Sequence, residues 1–210
     1  LGNAIDPVAV VKEFGVDPVR YFLLREVPFG SDGNFSRQSM FERINADLAN
    51  TIGNLAQRTL SMIAKNCGGK VPEPGPLTDA DTVLLDAAHG LLPRVHSCMA
   101  EIAAHRALEL IWEVCGDANR YVDAQAPWSL RRTDPARMAT VLWVLAETIR
   151  HLAILTQPFM PEASAKLLDL LAVEQVDRSF TAVEAGVLRP GTVLPAPAGV
   201  FPRHVDTGAA

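Results

Sequence analysis

The sequence has little positive charge to spare. Nineteen Lys and Arg stand against 24 Asp and Glu, a net charge of −5 over 210 residues. That balance excludes the broad basic footprint of proteins that bind polyanions unselectively, so any contact with RNA has to be local and specific. Cysteine is scarce as well. Cys67, Cys98 and Cys115 are odd in number and none lies within C-x-x-C reach of another. This excludes a disulfide framework and a zinc knuckle, and a reducing cytoplasm is the expected setting. His89, His96 and Cys98 match no familiar metal-ligand spacing, so they are read as structural and no metal is expected.

Long apolar runs are also missing. The greasiest stretch, from Val141 to Met160, is interrupted by Glu147, Arg150 and His151, which a lipid-facing span would have to bury at a cost of several kcal/mol. No membrane segment is expected. The opening LGNAIDP has neither the basic start nor the apolar centre of a signal peptide, and Leu1 in place of Met suggests a piece of a longer polypeptide. Finally, there is no Gly-rich phosphate loop and no nucleophile beside a plausible base. GSDGNFS lacks both the lysine and the strand-loop-helix context of a P-loop. No catalytic residue is assigned.

What is present is helix. With 49% hydrophobic and 20% charged residues the chain can bury one substantial core. Asp6-Pro7, Asp17-Pro18 and Asp134-Pro135 each pair a capping side chain with a proline whose fixed φ suits the first helical turn, so each predicts a helix start. Gly15 closes the first short helix and DPVRYFLLREV makes the second, which together form a compact, separate appendage. A long helix starts at Ser36 or Ser39 and runs to about Asn66. It puts Phe41, Ile44, Leu48, Ile52, Leu55, Met62 and Ile63 on one apolar stripe, with Asp47, Asn50, Asn54, Arg58 and Lys65 off it.

After the linker NCGGKVPEPGPLT, Thr78 caps a helix with Asp81 in its first turn. Two helices then cover 79–99 and 101–124. Pro127 stops the second of these, WSLRR makes a short turn, and Asp134 starts a helix to about Gln157. PEASAKLLDLLAV is the last helix, and beyond Val173 the chain is largely irregular. The expected fold is all-α, an up-and-down helical bundle, divided as 1–35, 36–172 and a 173–210 tail.

The segments LGNAIDP, GVDPVRYFLLREVPFGSDGNFS, NADLANTIGNLAQR, ANRYVDAQAPWSL and FPRHV occur in the order found in methionyl-tRNA synthetases. The chain resembles that family from Leu1 to about Val205, and NLAQR followed by ANRYVDAQAPW carries most of the specificity. The resemblance implies that residues 1–35 are the stem-contact segment following the signature loop of a catalytic domain, and that the bundle binds the anticodon. The Rossmann catalytic core, its zinc-bearing insertion and the signature lysines would precede Leu1. The complete enzyme would attach methionine to tRNA-Met, anticodon CAU, using ATP and Mg²⁺, with no cofactor bound by this chain. Its partners would be tRNA-Met and the catalytic domain of the same protein, and the complete protein is expected to be a monomer.

Within the bundle the resemblance assigns anticodon reading to Asn54, Arg58 and Trp128, with Asn50 one helical turn earlier in support. At about 100° per residue, Asn50, Asn54 and Arg58 step by roughly 40° each and make a polar ridge beside the apolar stripe. A guanidinium can satisfy the N3 and O2 acceptors of cytosine while an Asn carbonyl accepts from N4, and an indole in a turn can stack on the same base. Trp112 and Trp143 lie on apolar helix faces and read as packing residues. Arg131 and Arg132 read equally as a surface pair or as phosphate contacts. Asn119, Arg120, Tyr121 and Asp123 are expected to brace the turn of Trp128. Two other readings remain open: the anticodon-binding domain of another class I synthetase, and a non-catalytic helical module that binds a protein.

Overall fold

The computed structural model describes residues 6–30, 36–185 and 187–204, so the motif residues 1–5, 31–35 and Val205 lie outside the described residues. The first helix, α1 (Pro7–Phe14), begins as the sequence predicts. Asp6 accepts a hydrogen bond from the Val8 amide at 2.9 Å, and Gly15 ends the helix at φ 90°. Asp17 departs from expectation. The second helix, α2 (Val16–Glu26), starts one residue before it, and the Asp17 carboxylate accepts from the Ala163 amide at 2.6 Å. It thereby caps α10 (Pro161–Leu170), whose own N-cap, Met160, offers no side-chain acceptor. Arg20 reinforces the junction by donating to the carbonyls of Phe159 and Pro158. The N-terminal helices are thus not a separate appendage, since Tyr21 and Phe22 are fully buried in the common core.

Ser36, not Ser39, caps the long helix, accepting from the Ser39 amide at 2.9 Å. The helix has three parts: α3 (Arg37–Arg43), a π-helical stretch (Ile44–Gly53) and α4 (Asn54–Asn66). In the π stretch the backbone bonds reach back five residues, and π turns inside α-helices are often found at functional sites. Two side chains suit it locally. The Thr51 hydroxyl donates to the Ala46 carbonyl, five residues back, at 2.8 Å. At Gly53 a Cβ would stand 2.7 Å from the Leu48 carbonyl oxygen and 3.4 Å from Phe201 Cβ, so only glycine fits without a shift.

The bundle continues with α5 (Asp79–His89), α6 (Leu91–Ala100), α7 (Ala104–Gln125), α8 (Pro127–Thr133) and α9 (Pro135–Thr156). The expected 79–99 helix is divided at Gly90, and WSLRR is helical, not a turn: Ala126 takes the left-handed conformation (φ 44°, ψ 57°) and Pro127 opens α8 at its first position. Helix α9 is the centre of the bundle, packed by α4, α5, α7, α8 and α10. It is long and apolar enough to cross a membrane, but 89% of its most apolar window is buried by the other helices. The last segment is less irregular than its composition suggests. It carries α11 (Phe180–Ala185) and buries Val183, Leu188 and Leu194. Its backbone also pairs with the 67–78 linker, Val71 N donating to Thr192 O at 2.9 Å and Leu194 N to Gly69 O at 2.8 Å. Apart from an isolated Lys70–Val193 bridge, no strand occurs among the described residues.

Candidate nucleic-acid interface

The four residues singled out in the sequence lie on α4, its π stretch and α8. The structure brings two of them into contact. The Arg58 guanidinium carbon stands 5.3 Å from the centroid of the Trp128 ring, within cation–π range, and its Nη2 is 2.8 Å from Asp123 Oδ1. The indole is 44% exposed, so Trp128 is not a core residue. It stands in the first turn of α8, whose Pro127 is buried and whose Leu130 packs on the core, and this fixes the indole while leaving it open to solvent. Asn50 and Asn54 are exposed, and neither side-chain amide bonds to another described residue. Asn54 and Arg58 follow ordinary α-helical spacing. Asn50 lies in the π stretch, where each residue turns less than 100°, so the expected even step from Asn50 to Asn54 does not hold.

Of the residues expected to brace the turn of Trp128, Asp123 acts through Arg58 and the other three bond elsewhere. Asp123 neutralises and orients Arg58. Asn119 ties α7 to the π stretch, its Nδ2 donating to Cys115 O at 2.9 Å and Thr51 O at 3.4 Å. Arg120 pairs with Asp117, its neighbour on α7. Tyr121 donates its hydroxyl to the fully buried Asp81. Trp112 and Trp143 behave as packing residues, their Nε1 atoms donating to the carbonyls of Asp47 and Leu188. Arg131 and Arg132 are exposed on α8.

Sequence reasoning missed a polar network that joins α5, α7 and α9. Arg137 on α9 makes two bonds to Asp81 at 2.6 and 2.7 Å and one to Gln125 Oε1 at 2.8 Å, in the last residue of α7. Asp81 also accepts from the Thr78 amide at 2.7 Å. Burial alone would raise the Asp81 pKa, but the bonds from Arg137, Tyr121 and Thr78 outweigh it and hold the carboxyl at about 2. The Thr78/Asp81 spacing was visible in the sequence; Arg137, more than fifty residues on, gave no local signal.

Among the described residues, His89, Glu147 and His151 bring potential metal-ligand atoms within 4.8 Å of one another. Their surroundings already use that capacity. Glu147 accepts from the Arg150 guanidinium at 2.6 Å and from the Leu188 amide at 2.9 Å, and Arg150 Nη2 lies 2.9 Å from His151 Nε2. A cation would have to displace the guanidinium, so Glu147 and Arg150 read as a paired buried charge on α9. His96 is separate from it, its ring lying edge-on to Phe180.

The exposed side chains of the π stretch, α4 and α8 thus include a fixed aromatic face, a guanidinium held by a carboxylate and two free carboxamides. These are the groups that stack on an unpaired base and hydrogen-bond to its edge. Comparison with known proteins agrees with a nucleic-acid role. The family model for the anticodon binding domain of methionyl tRNA ligase matches residues 71–209, and that for class I (M) tRNA synthetases matches residues 1–60. A methionine–tRNA ligase of Mesorhizobium japonicum is 56% identical over 98% of this chain and 40% of its own length. One of Mycobacterium leprae is 55% identical over 97% of this chain and 38% of its own length. The structure of Mycobacterium tuberculosis methionyl-tRNA synthetase in complex with methionyl-adenylate superposes with a TM-score of 0.94 at 55% identity, covering 97% of this chain and 40% of that one. The chain thus spans about 40% of the length of the relatives it matches.

Proposed function

The chain belongs to the methionyl-tRNA ligase family, and on that premise we propose that it reads the anticodon of tRNA-Met for a ligase that attaches methionine to that tRNA. The observation that carries this reading is the contact between Arg58 and the exposed Trp128 ring, beside the free amide of Asn54. The first anticodon base, cytosine, stacks on the indole. Arg58 donates to its N3 and O2, and the Asn54 carbonyl accepts from N4. Uracil presents O4 where cytosine donates, so an Asn54 carbonyl facing it has no donor, and that is the basis of discrimination. Asp123 sets the tilt of the guanidinium by holding the nitrogen that does not face the base. Asn50, a turn earlier, supports the neighbouring nucleotide.

On the same reading, residues 1–35 contact the tRNA stem, 36–172 form the anticodon-binding bundle and 173–210 the tail. Methionine, ATP and Mg²⁺ belong to the remaining part of the ligase, and no residue described above is assigned to them. The ligase is a cytoplasmic monomer. Filter binding with the complete protein tests the assignment: tRNA-Met should bind more tightly than the same tRNA with U at the first anticodon position. Equal binding of the two, or of a tRNA of another specificity, refutes it.

A further inference from the structure

Trp128, Arg131 and Arg132 share one face of α8. At i, i+3 and i+4 they span about 6 Å along the axis, a little more than one helical turn. All three are exposed, whereas Pro127 is buried and Leu130 packs on the core. Arginines elsewhere in the bundle are engaged: Arg25, Arg43, Arg58, Arg137 and Arg178 each meet a carboxylate within 2.9 Å. Arg131 and Arg132 meet none among the described residues. The carboxylates near them in sequence are committed, Asp123 to Arg58 and Asp134 to the Arg137 amide that opens α9. Two adjacent unpaired guanidinium groups beside an open aromatic face are unusual in a chain of net charge −5.

We propose that Arg131 and Arg132 bind two backbone phosphates of the strand whose base stacks on Trp128; this rests on the reading of Trp128 as the base platform. A stacked base is flanked by its own 5′ and 3′ phosphates, and the guanidinium fork suits phosphate oxygens. Such contacts carry no sequence information. They hold the strand against the interface whichever base it carries, and they supply local attraction where the protein's overall field repels RNA. Position in the last turn of α8 also places both arginines favourably against the helix dipole. That structural role would leave the salt dependence of tRNA binding untouched.

Titration of the complete protein with tRNA-Met over a series of salt concentrations separates the two. For the R131Q/R132Q variant, the slope of log affinity against log salt should be shallower than wild type by about 1.4, or about 0.7 per phosphate of a single strand. Between about 50 and 200 mM salt, wild type should then lose roughly sevenfold more affinity than the variant. The variant's preference for C over U should be unchanged, and R131K/R132K should keep the wild-type slope. An unchanged slope in R131Q/R132Q, or loss of the C-over-U preference in it, overturns the phosphate contacts. W128A serves as the control for the underlying reading: if it binds like wild type, the base platform itself fails, whatever the arginines do.

Discussion

The guanidinium of Arg58 rests over the ring of Trp128 at 5.3 Å, so two side chains far apart in sequence and on different helices form a single surface. Each stabilises the other's orientation, and Asp123 closes the arrangement from the far side at 2.8 Å.

Trp128→Ala should therefore weaken tRNA-Met binding more than any other single change at the interface. The loss of one base–aromatic stack is about 1–3 kcal/mol, or roughly 5- to 150-fold in affinity. Trp128→Phe should recover part of it. Because the indole is 44% exposed, the melting temperature should fall only slightly. A large drop in melting temperature with unchanged affinity per folded molecule would show that the indole only packs.

Arg58→Lys separates charge from shape. The ammonium can still pair with Asp123 but cannot offer two coplanar donors to the N3 and O2 of cytosine. Overall affinity should fall modestly, while the preference for C over U at the first anticodon position should fall by about 1 kcal/mol or more. Stability should change by less than about 1 kcal/mol, since the Arg58–Asp123 pair is partly exposed. Wild-type discrimination in this variant would remove Arg58 from the reading.

Gly53→Ala tests the π stretch. The new methyl carbon would stand 2.7 Å from the Leu48 carbonyl oxygen, a backbone atom that cannot swing aside, and would press on Phe201. Crowding of this kind costs about 1–3 kcal/mol. The helix can relieve it only by shifting the turn that carries Asn50 and leads into Asn54, so tRNA affinity per folded molecule should fall along with stability. A variant as stable as wild type would mean that the π turn adjusts freely.

Where a structural cause was local, the sequence showed it. Asp6, Thr78 and Asp134 cap the helices that directly follow them. Asp17 has the same Asp-Pro signature, but its carboxylate finds the Ala163 amide across the fold, and no local pattern distinguishes the two uses. The π stretch was hidden for a related reason: Ile44, Leu48 and Ile52 fit a four-residue stripe in either helix type. The tail looked irregular because its order comes from backbone bonds to residues 69–71, which leave no periodicity in its side chains. At the interface, the pattern showed that Asn54 and Arg58 lie off the apolar stripe. Only the family resemblance linked them to Trp128, and neither gave any sign of Asp123 as the partner of Arg58.

The Arg137–Asp81 pair should make the fold sensitive to acid. Burial pushes the Asp81 pKa up, but the hydrogen bonds from Arg137, Tyr121 and Thr78 bring it down from 3.8 to about 2, which corresponds to about 2 kcal/mol of stabilisation when the carboxylate is ionised. With the folded-state pKa below the unfolded one, the folded protein binds fewer protons in this range. The stabilisation is thus complete above about pH 4 and is lost as the pH falls toward 2. Glu147, lowered from 4.5 to about 2 against its own burial by bonds from His151, Arg150 and the Leu188 amide, adds a second contribution of the same sign. Asp81→Asn should cost about 3 kcal/mol near pH 6, at the low end for a broken buried pair because Arg137 keeps some solvent contact. Its stability should then decline less steeply than wild type between pH 4 and 2, since only the Glu147 part of the acid response remains. Denaturant melts of the two proteins across that interval decide the matter. Parallel acid profiles would show that the low pKa of Asp81 contributes nothing to the stability of the fold.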